Sequence, residues 1–110
     1  DQLLLDLFGE TGDIYTCDAV VVEALSSGSP EELRVIERLV QALEYVSTSP
    51  DAAVRAAGFR RRQRRTSRRH LGDAIIAGVA WSLGATIVTR NPRDFEGQGV
   101  PVLAYGQTAA

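Results

Sequence analysis

The sequence predicts an α/β domain in which a short parallel sheet is wrapped by helices. Two features of the 110-residue chain predict it. Short segments rich in β-branched and apolar residues, such as Ile14 to Cys17 and Thr86 to Thr89, alternate with longer stretches of helical periodicity. Those stretches carry start and stop signals: Ser29-Pro30-Glu31-Glu32 and Ser49-Pro50-Asp51 at beginnings, Gly28 and Gly84 at ends. Strands that alternate with helices imply parallel pairing, because parallel neighbours need a crossover between them.

Taken in order, Asp1 to Phe8 (DQLLLDLF) is apolar at positions 3, 4, 5, 7 and 8 and stops at Gly9, which reads as the tail of a helix closed by glycine. Ile14 to Cys17 is a short strand, and Asp18 is placed to cap a helix from Ala19 to Ser27. Within that helix Glu23 is the only ionisable side chain. Ser29 caps the next helix, with Pro30 at its first position and Glu32 completing a capping box. Leu33, Ile36, Leu39, Val40 and Leu43 then follow three-four spacing to about Glu44. Tyr45 to Thr48 is a very short strand. The helix opened by Ser49-Pro50 is expected to bury Ala53, Val54 and Ala57 and to run through Phe59 into RRRQRRTSRRH. Leu71 to Leu83 forms a helix closed by Gly84, Thr86 to Thr89 a strand, Asn91 to Phe95 a turn, and Val100 to Tyr105 a last strand. There is no internal repeat.

Composition bounds the class. Hydrophobic residues at 45% and charged residues at 24% are those of a globular chain, and the length suits one domain over residues 1–110. No apolar run approaches the roughly 20 residues of a membrane span, and no basic segment precedes an apolar core as in a signal peptide. A lone cysteine, Cys17, can make neither an internal disulfide nor a zinc site, so a cytoplasmic location is expected. Charge is unevenly spread. Residues 1–54 hold eleven acids and two Arg (-9), residues 55–70 hold eight Arg and no acid (+8), and the rest is -1. Every basic residue is Arg, which a GC-rich genome would explain without function, but the clustering has no such explanation. Arg forks onto phosphate oxygens, so the cluster is suited to a polyanion.

Four residues stand out for chemistry. Glu23 lies in an apolar helix, where a carboxylate needs solvent, a cation or a donor. Asp73 lies in the first turn of its helix, where the macrodipole favours negative charge. Asn91 and Asp94 share the turn after the Thr86 to Thr89 strand. Each has a plainer explanation: an exposed helix face for Glu23, an ordinary helix start for Asp73, local turn hydrogen bonds for Asn91 and Asp94. Jointly, acids and an amide near the ends of separate elements are the oxygen donors that Mg²⁺ or Mn²⁺ takes, and no His/Cys set for zinc exists.

The segments CDAVVVEALSSG (17–28), GDAIIAGVAWSLGATIVTRNPRDF (72–95) and VPVL (100–103) resemble the PIN-domain ribonucleases, specifically VapC-type toxins of bacterial toxin-antitoxin pairs. The resemblance spans nearly the whole chain. It implies a three-layer α/β/α fold with a short central parallel sheet. It also implies a metal-dependent endoribonuclease in which Glu23, Asp73 and Asp94 hold Mg²⁺ or Mn²⁺ and Asn91 is a weaker ligand or a water-positioning group. Arg61, Arg64, Arg65, Arg68 and Arg69 would then seat the RNA. The implied partners are a cognate VapB-like antitoxin, an RNA substrate such as tRNA or rRNA, and a second copy of the chain. The family's first strand, ending in an Asp within a D-T-S-like sequence, has no match here. The chain is therefore expected to be an N-terminally truncated PIN-like domain that lacks its first strand, binds metal poorly and is nearly inactive alone. The alternative is a non-catalytic nucleic-acid-binding or protein-interaction module built on a degenerate PIN domain.

Overall fold

A computed structural model of the chain describes residues 6–8, 14–26, 28–64, 70–89 and 91–104. Among the described residues it is a mixed α/β domain with four α-helices and one five-stranded sheet. Strands β1 (Asp6–Phe8), β2 (Ile14–Cys17), β3 (Glu44–Val46), β4 (Thr86–Thr89) and β5 (Val102–Ala104) are ordered β3-β2-β1-β4-β5. Helices α1 (Asp18–Leu25) and α2 (Pro30–Ala42) connect β2 to β3, and α3 (Pro50–Gln63) and α4 (Leu71–Leu83) connect β3 to β4. A 3₁₀ turn, Pro92–Phe95, lies between β4 and β5. The α/β class is borne out, and two strand pairs are parallel, β2 with β3 and β4 with β5.

The N-terminal segment departs from expectation. Residues 6–8 form a strand, not the end of a helix, and this strand occupies the centre of the sheet. It runs antiparallel to both neighbours, with Leu7 opposite Tyr15 on one side and Ile87 on the other. The sheet therefore does not lack a central strand, although what fills the place is not a parallel one. Three residues are too few for apolar spacing to separate helix from strand. Unpaired edges of β2 and β4 decide the matter, since their backbone groups need partners. The antiparallel relation also cancels across β1, so β2 and β4 run the same way. The carboxyl ends of β2, β3, β4 and β5 all meet one rim of the sheet.

Helix α2 starts as the sequence dictates. The Ser29 hydroxyl accepts from Glu32 N at 3.2 Å while the Glu32 carboxylate accepts from Ser29 N at 2.9 Å, and Pro30 opens the helix. Ser49 caps α3 in the same manner, accepting from Ala52 N at 3.1 Å. Gly84 closes α4 with φ 63°. Asp18 differs from its expected role. Cys17 stands at the cap without a side-chain bond, and Asp18 is the first helical residue. Its carboxylate turns instead to β3, accepting from the Tyr45 hydroxyl and, at 2.9 Å, from Thr48 N. This clamps the start of α1 to the β3–α3 connection.

The core is centred on α4, whose Ala74 and Ile76 to Ala80 are buried. Around it gather Cys17, Val20, Ala52, Phe59, Ala85, Ile87 and Phe95. Burying a side chain of the size of Phe59, Ile76 or Ile87 contributes about 1.5–3 kcal/mol. Helix α3 buries Ala52, Ala56 and Phe59, not Ala53, Val54 and Ala57 as expected. Phe59, the largest apolar residue of α3, sets which stripe turns inward, and Val54 is left 74% exposed. At Gly78 the α3 backbone comes so near that a Cβ there would collide with the Ala52 carbonyl oxygen and sit 3.2 Å from Ala56 Cβ. Cys17 is fully buried, and desolvation pushes its thiol pKa up.

Two outcomes test this packing. Because the Ala52 backbone cannot swing away, Gly78→Ala should destabilise the fold by about 1–3 kcal/mol. Gly58, with no atom within 4 Å of a Cβ, should tolerate alanine and gain about 0.5–1 kcal/mol; urea unfolding of both variants decides. The Asp18 carboxylate, by holding the phenol proton, pushes the Tyr45 pKa up to about 12, and the same bond lowers that of Asp18. Stability from this bond is thus complete between the two unfolded values. It is lost as pH falls through the depressed Asp18 value or rises through about 12. In an ultraviolet tyrosinate titration, Asp18→Asn should return one tyrosine from about 12 toward 10.

Candidate active site

The carboxyl-end rim of the sheet is where an α/β domain exposes side chains held by rigid elements. Helix α1 leaves the end of β2 and carries Glu23 on its outer side. Glu23 is exposed, and its carboxylate lies over Gly72, so closely that a Cβ at position 72 would collide with Oε1. Gly72 is the second residue of α4, and the carboxylate is thereby held against a helix N-terminus. Asp18, Ala19, Val22, Thr48, Leu71 and Ile75 complete a concavity of about 500 Å³ around Glu23 and Gly72.

Asp94 reaches the same region from the turn after β4. Successive bonds shape that turn: Thr89 Oγ1 accepts from Asn91 N at 3.0 Å, and Asn91 O accepts from Asp94 N at 3.0 Å. Gln98, buried behind the turn, donates to the Asp94 carbonyl at 3.2 Å. Gln63, at the end of α3, donates to Gly97 O at 2.8 Å and ties the arginine-rich helix end to the turn. Asn91, Arg93, Asp94 and Glu96 line a second concavity of about 560 Å³. Asn91 and Asp94, singled out from sequence, therefore open on one space.

Glu23 feels the charge of Asp94. The pKa of Glu23 is raised, first by desolvation and then by the negative charge of Asp94. Two carboxylates from separate elements thus lie near enough for the charge of Asp94 to disfavour that of Glu23. Asp73 is half-buried in the first turn of α4. It does not join them as a third donor: among the described residues no three acidic, His or Cys side chains gather closely enough to hold one metal ion. A two-carboxylate site still suits Mg²⁺, which is commonly held by one or two carboxylates with water and substrate phosphates completing the shell.

Of the arginines expected to seat RNA, Arg61 and Arg64 are exposed at the end of α3, and Arg64 closes the helix with φ 56°. Arg65, Arg68 and Arg69 lie outside the described residues. His70 stands at the start of α4 and makes no capping bond through its side chain. Two contributors were not legible from sequence as site residues. Gly72 matters through a steric vacancy that only the fold reveals, and Asp18, expected as a cap, borders the Glu23 concavity. Among the described residues no helix is long and apolar enough to cross a membrane.

The raised Glu23 pKa has a stability consequence. Its ionised form is disfavoured by folding, so it costs stability above its raised folded value and nothing below the ordinary carboxyl range. Glu23→Gln should therefore unfold at a higher temperature than the parent chain at pH 7, with the difference fading as pH falls toward 4 in calorimetry.

A model of the PIN domain family matches residues 2–98. No curated protein matches the chain. PIN domains are generally nucleases, hydrolases of the phosphodiester bond, and typically use divalent metal ions. With a match over nearly its entire length, a rim carrying paired carboxylates and the corresponding α/β architecture, this chain belongs to the PIN domain family.

Proposed function

We propose that the protein is a metal-dependent endoribonuclease of the VapC toxin type. The Glu23–Asp94 pair carries this reading: the charge of Asp94 disfavours that of Glu23, and a divalent cation between the two carboxylates would relieve this repulsion. Glu23 and Asp94 would hold Mg²⁺ or Mn²⁺, and Asp73, from the adjacent α4 start, would contribute from the outer shell or on closure around substrate. When bound, the cation supplies water activation and neutralisation of charge on the phosphodiester. Gly72 keeps the Glu23 carboxylate at the rim, while Asn91, on the rigid turn, orients water by hydrogen bonding.

Substrate binding falls to the basic segment. Arg61 and Arg64, with Arg65, Arg68 and Arg69 following, would hold the RNA backbone beside acids that alone would repel it. The Gln63–Gly97 hydrogen bond supports this arrangement, because it sets the basic end of α3 next to the turn that bears Asp94. A VapB-like antitoxin offering a cation to the carboxylates, a homodimeric toxin, a tRNA or rRNA substrate and a cytoplasmic location complete the reading. The second reading, a nucleic-acid-binding module without catalysis, draws on one observation: the described residues gather no third metal-ligating side chain.

The experiment is cleavage of an RNA pool with Mg²⁺ or Mn²⁺, with and without chelator, beside Mn²⁺ binding followed by paramagnetic broadening. Asp94→Asn should reduce both by about a hundredfold or more. Gly72→Ala should preserve folding yet weaken both, since it displaces the Glu23 carboxylate. RNA retention with no cleavage, indifferent to chelator and to Asp94→Asn, would establish the binding module instead.

A further inference from the structure

A separate concavity lies on the outer face of α3 and α4. It has a volume of about 890 Å³ and is lined by Asp51, Val54, Arg55, Arg61, Arg62 and Trp81, with Gly58 at its floor. None of these residues lines the concavities around Glu23 or Asp94. Trp81 is 43% exposed and Val54 74%, an arrangement that hydrophobic burial alone disfavours. The Arg55 guanidinium carbon lies over the indole, 3.6 Å from its centroid, and that of Arg62 lies 5.3 Å from the Phe59 ring centroid. Three arginines and one exposed aromatic thus share this face, with Asp51 the single acid among the lining residues.

We propose that this α3–α4 face is a binding site for single-stranded RNA, with the Arg55–Trp81 pair as a base-stacking platform and Arg61 and Arg62 as phosphate contacts. Sequence-tolerant single-strand binding combines these elements: π-faces on which bases stack and a basic track for the backbone. The face is continuous with the basic end of α3, which Gln63 ties to the Asp94 turn. RNA lying along α3 therefore leads from the platform toward the carboxylates. A second copy of the chain is a poorer occupant. A two-fold interface sets a patch against itself, and here three arginines and one acid would meet the same set. The proposal rests on the nuclease reading only for the choice of RNA over other polyanions.

Trp81 is the chain's sole tryptophan, so its emission reports on this face alone. The test titrates a short fluorescently labelled oligouridylate into the chain in the presence of EDTA, following Trp81 emission and label anisotropy together. Both should saturate in parallel, whereas heparin, which has no bases, should compete for binding without stacking on the indole. Arg55→Ala should weaken RNA binding roughly tenfold. The Arg61→Ala, Arg62→Ala double variant should lower the logarithmic salt dependence by about 1.4. Circular-dichroism melting of each variant confirms folding. Bound RNA with unchanged Trp81 emission, and wild-type affinity in these variants, would overturn the proposal. A dimer in sedimentation that Trp81→Glu dissolves would assign the face to a second copy and overturn it too. If metal-dependent cleavage persists in that case, only this proposal fails; if neither binding nor cleavage occurs, the nuclease reading fails with it.

Discussion

The close approach of α3 to α4 is the constraint from which most of the molecule follows. Helix α4 presents Ala74, Ala77, Gly78 and Ala80 to its surroundings, and the missing side chain at Gly78 lets the Ala52 carbonyl come into direct contact. Such proximity increases dispersion contact along both helices and excludes water from the interface. It also fixes the rotation of α3: with Ala52 and Ala56 against Gly78, Phe59 must point inward. The polar and charged side of α3 is thereby turned outward as one continuous face. Arg55 comes to rest over Trp81 as a consequence of that rotation, because both residues lie just beyond the buried stripe.

The same helix sets the rim. Its N-terminal turn carries Gly72 and Asp73, and Gly72 repeats at the edge what Gly78 does in the core. One absent Cβ admits a backbone, the other a carboxylate. Glu23 accepts a raised pKa in return for a position beside Asp94, which is an arrangement that folding alone would not select. Electrostatic cost concentrated at a solvent-facing rim, next to a helix start and a basic helix end, is characteristic of places where a protein holds an ion or an anion-bearing substrate.

The central strand illustrates how sheet closure tolerates an unusual solution. Antiparallel β1 supplies backbone partners to β2 and β4 on both sides without altering the direction in which those two strands point. Elements carrying Asp18, Glu23, Asn91 and Asp94 consequently leave the sheet at one end. Family membership rests on the pattern of residues 2–98, whereas the shared rim of these acids rests on strand direction.

Local chemistry made much of this legible from sequence. Ser29, Pro30 and Glu32 specify a capping box, Ser49-Pro50 a second helix start, and Gly84 a helix end, because each acts on backbone groups within four residues of itself. Glu23, Asn91 and Asp94 could be picked out as unusual by their neighbours in sequence. What tertiary structure decided depends on contacts between distant segments. Asp18 left its cap to bind Tyr45 and Thr48, some thirty residues on, where its carboxylate accepts from two donors, a hydroxyl and a backbone N–H. Residues 6–8 became a strand because two sheet edges needed partners, and α3 turned about Phe59 because the α4 groove had room for it there. Pairing of Glu23 with Asp94 and the steric part played by Gly72 are likewise matters of approach in space, to which the spacing of residues along the chain is blind.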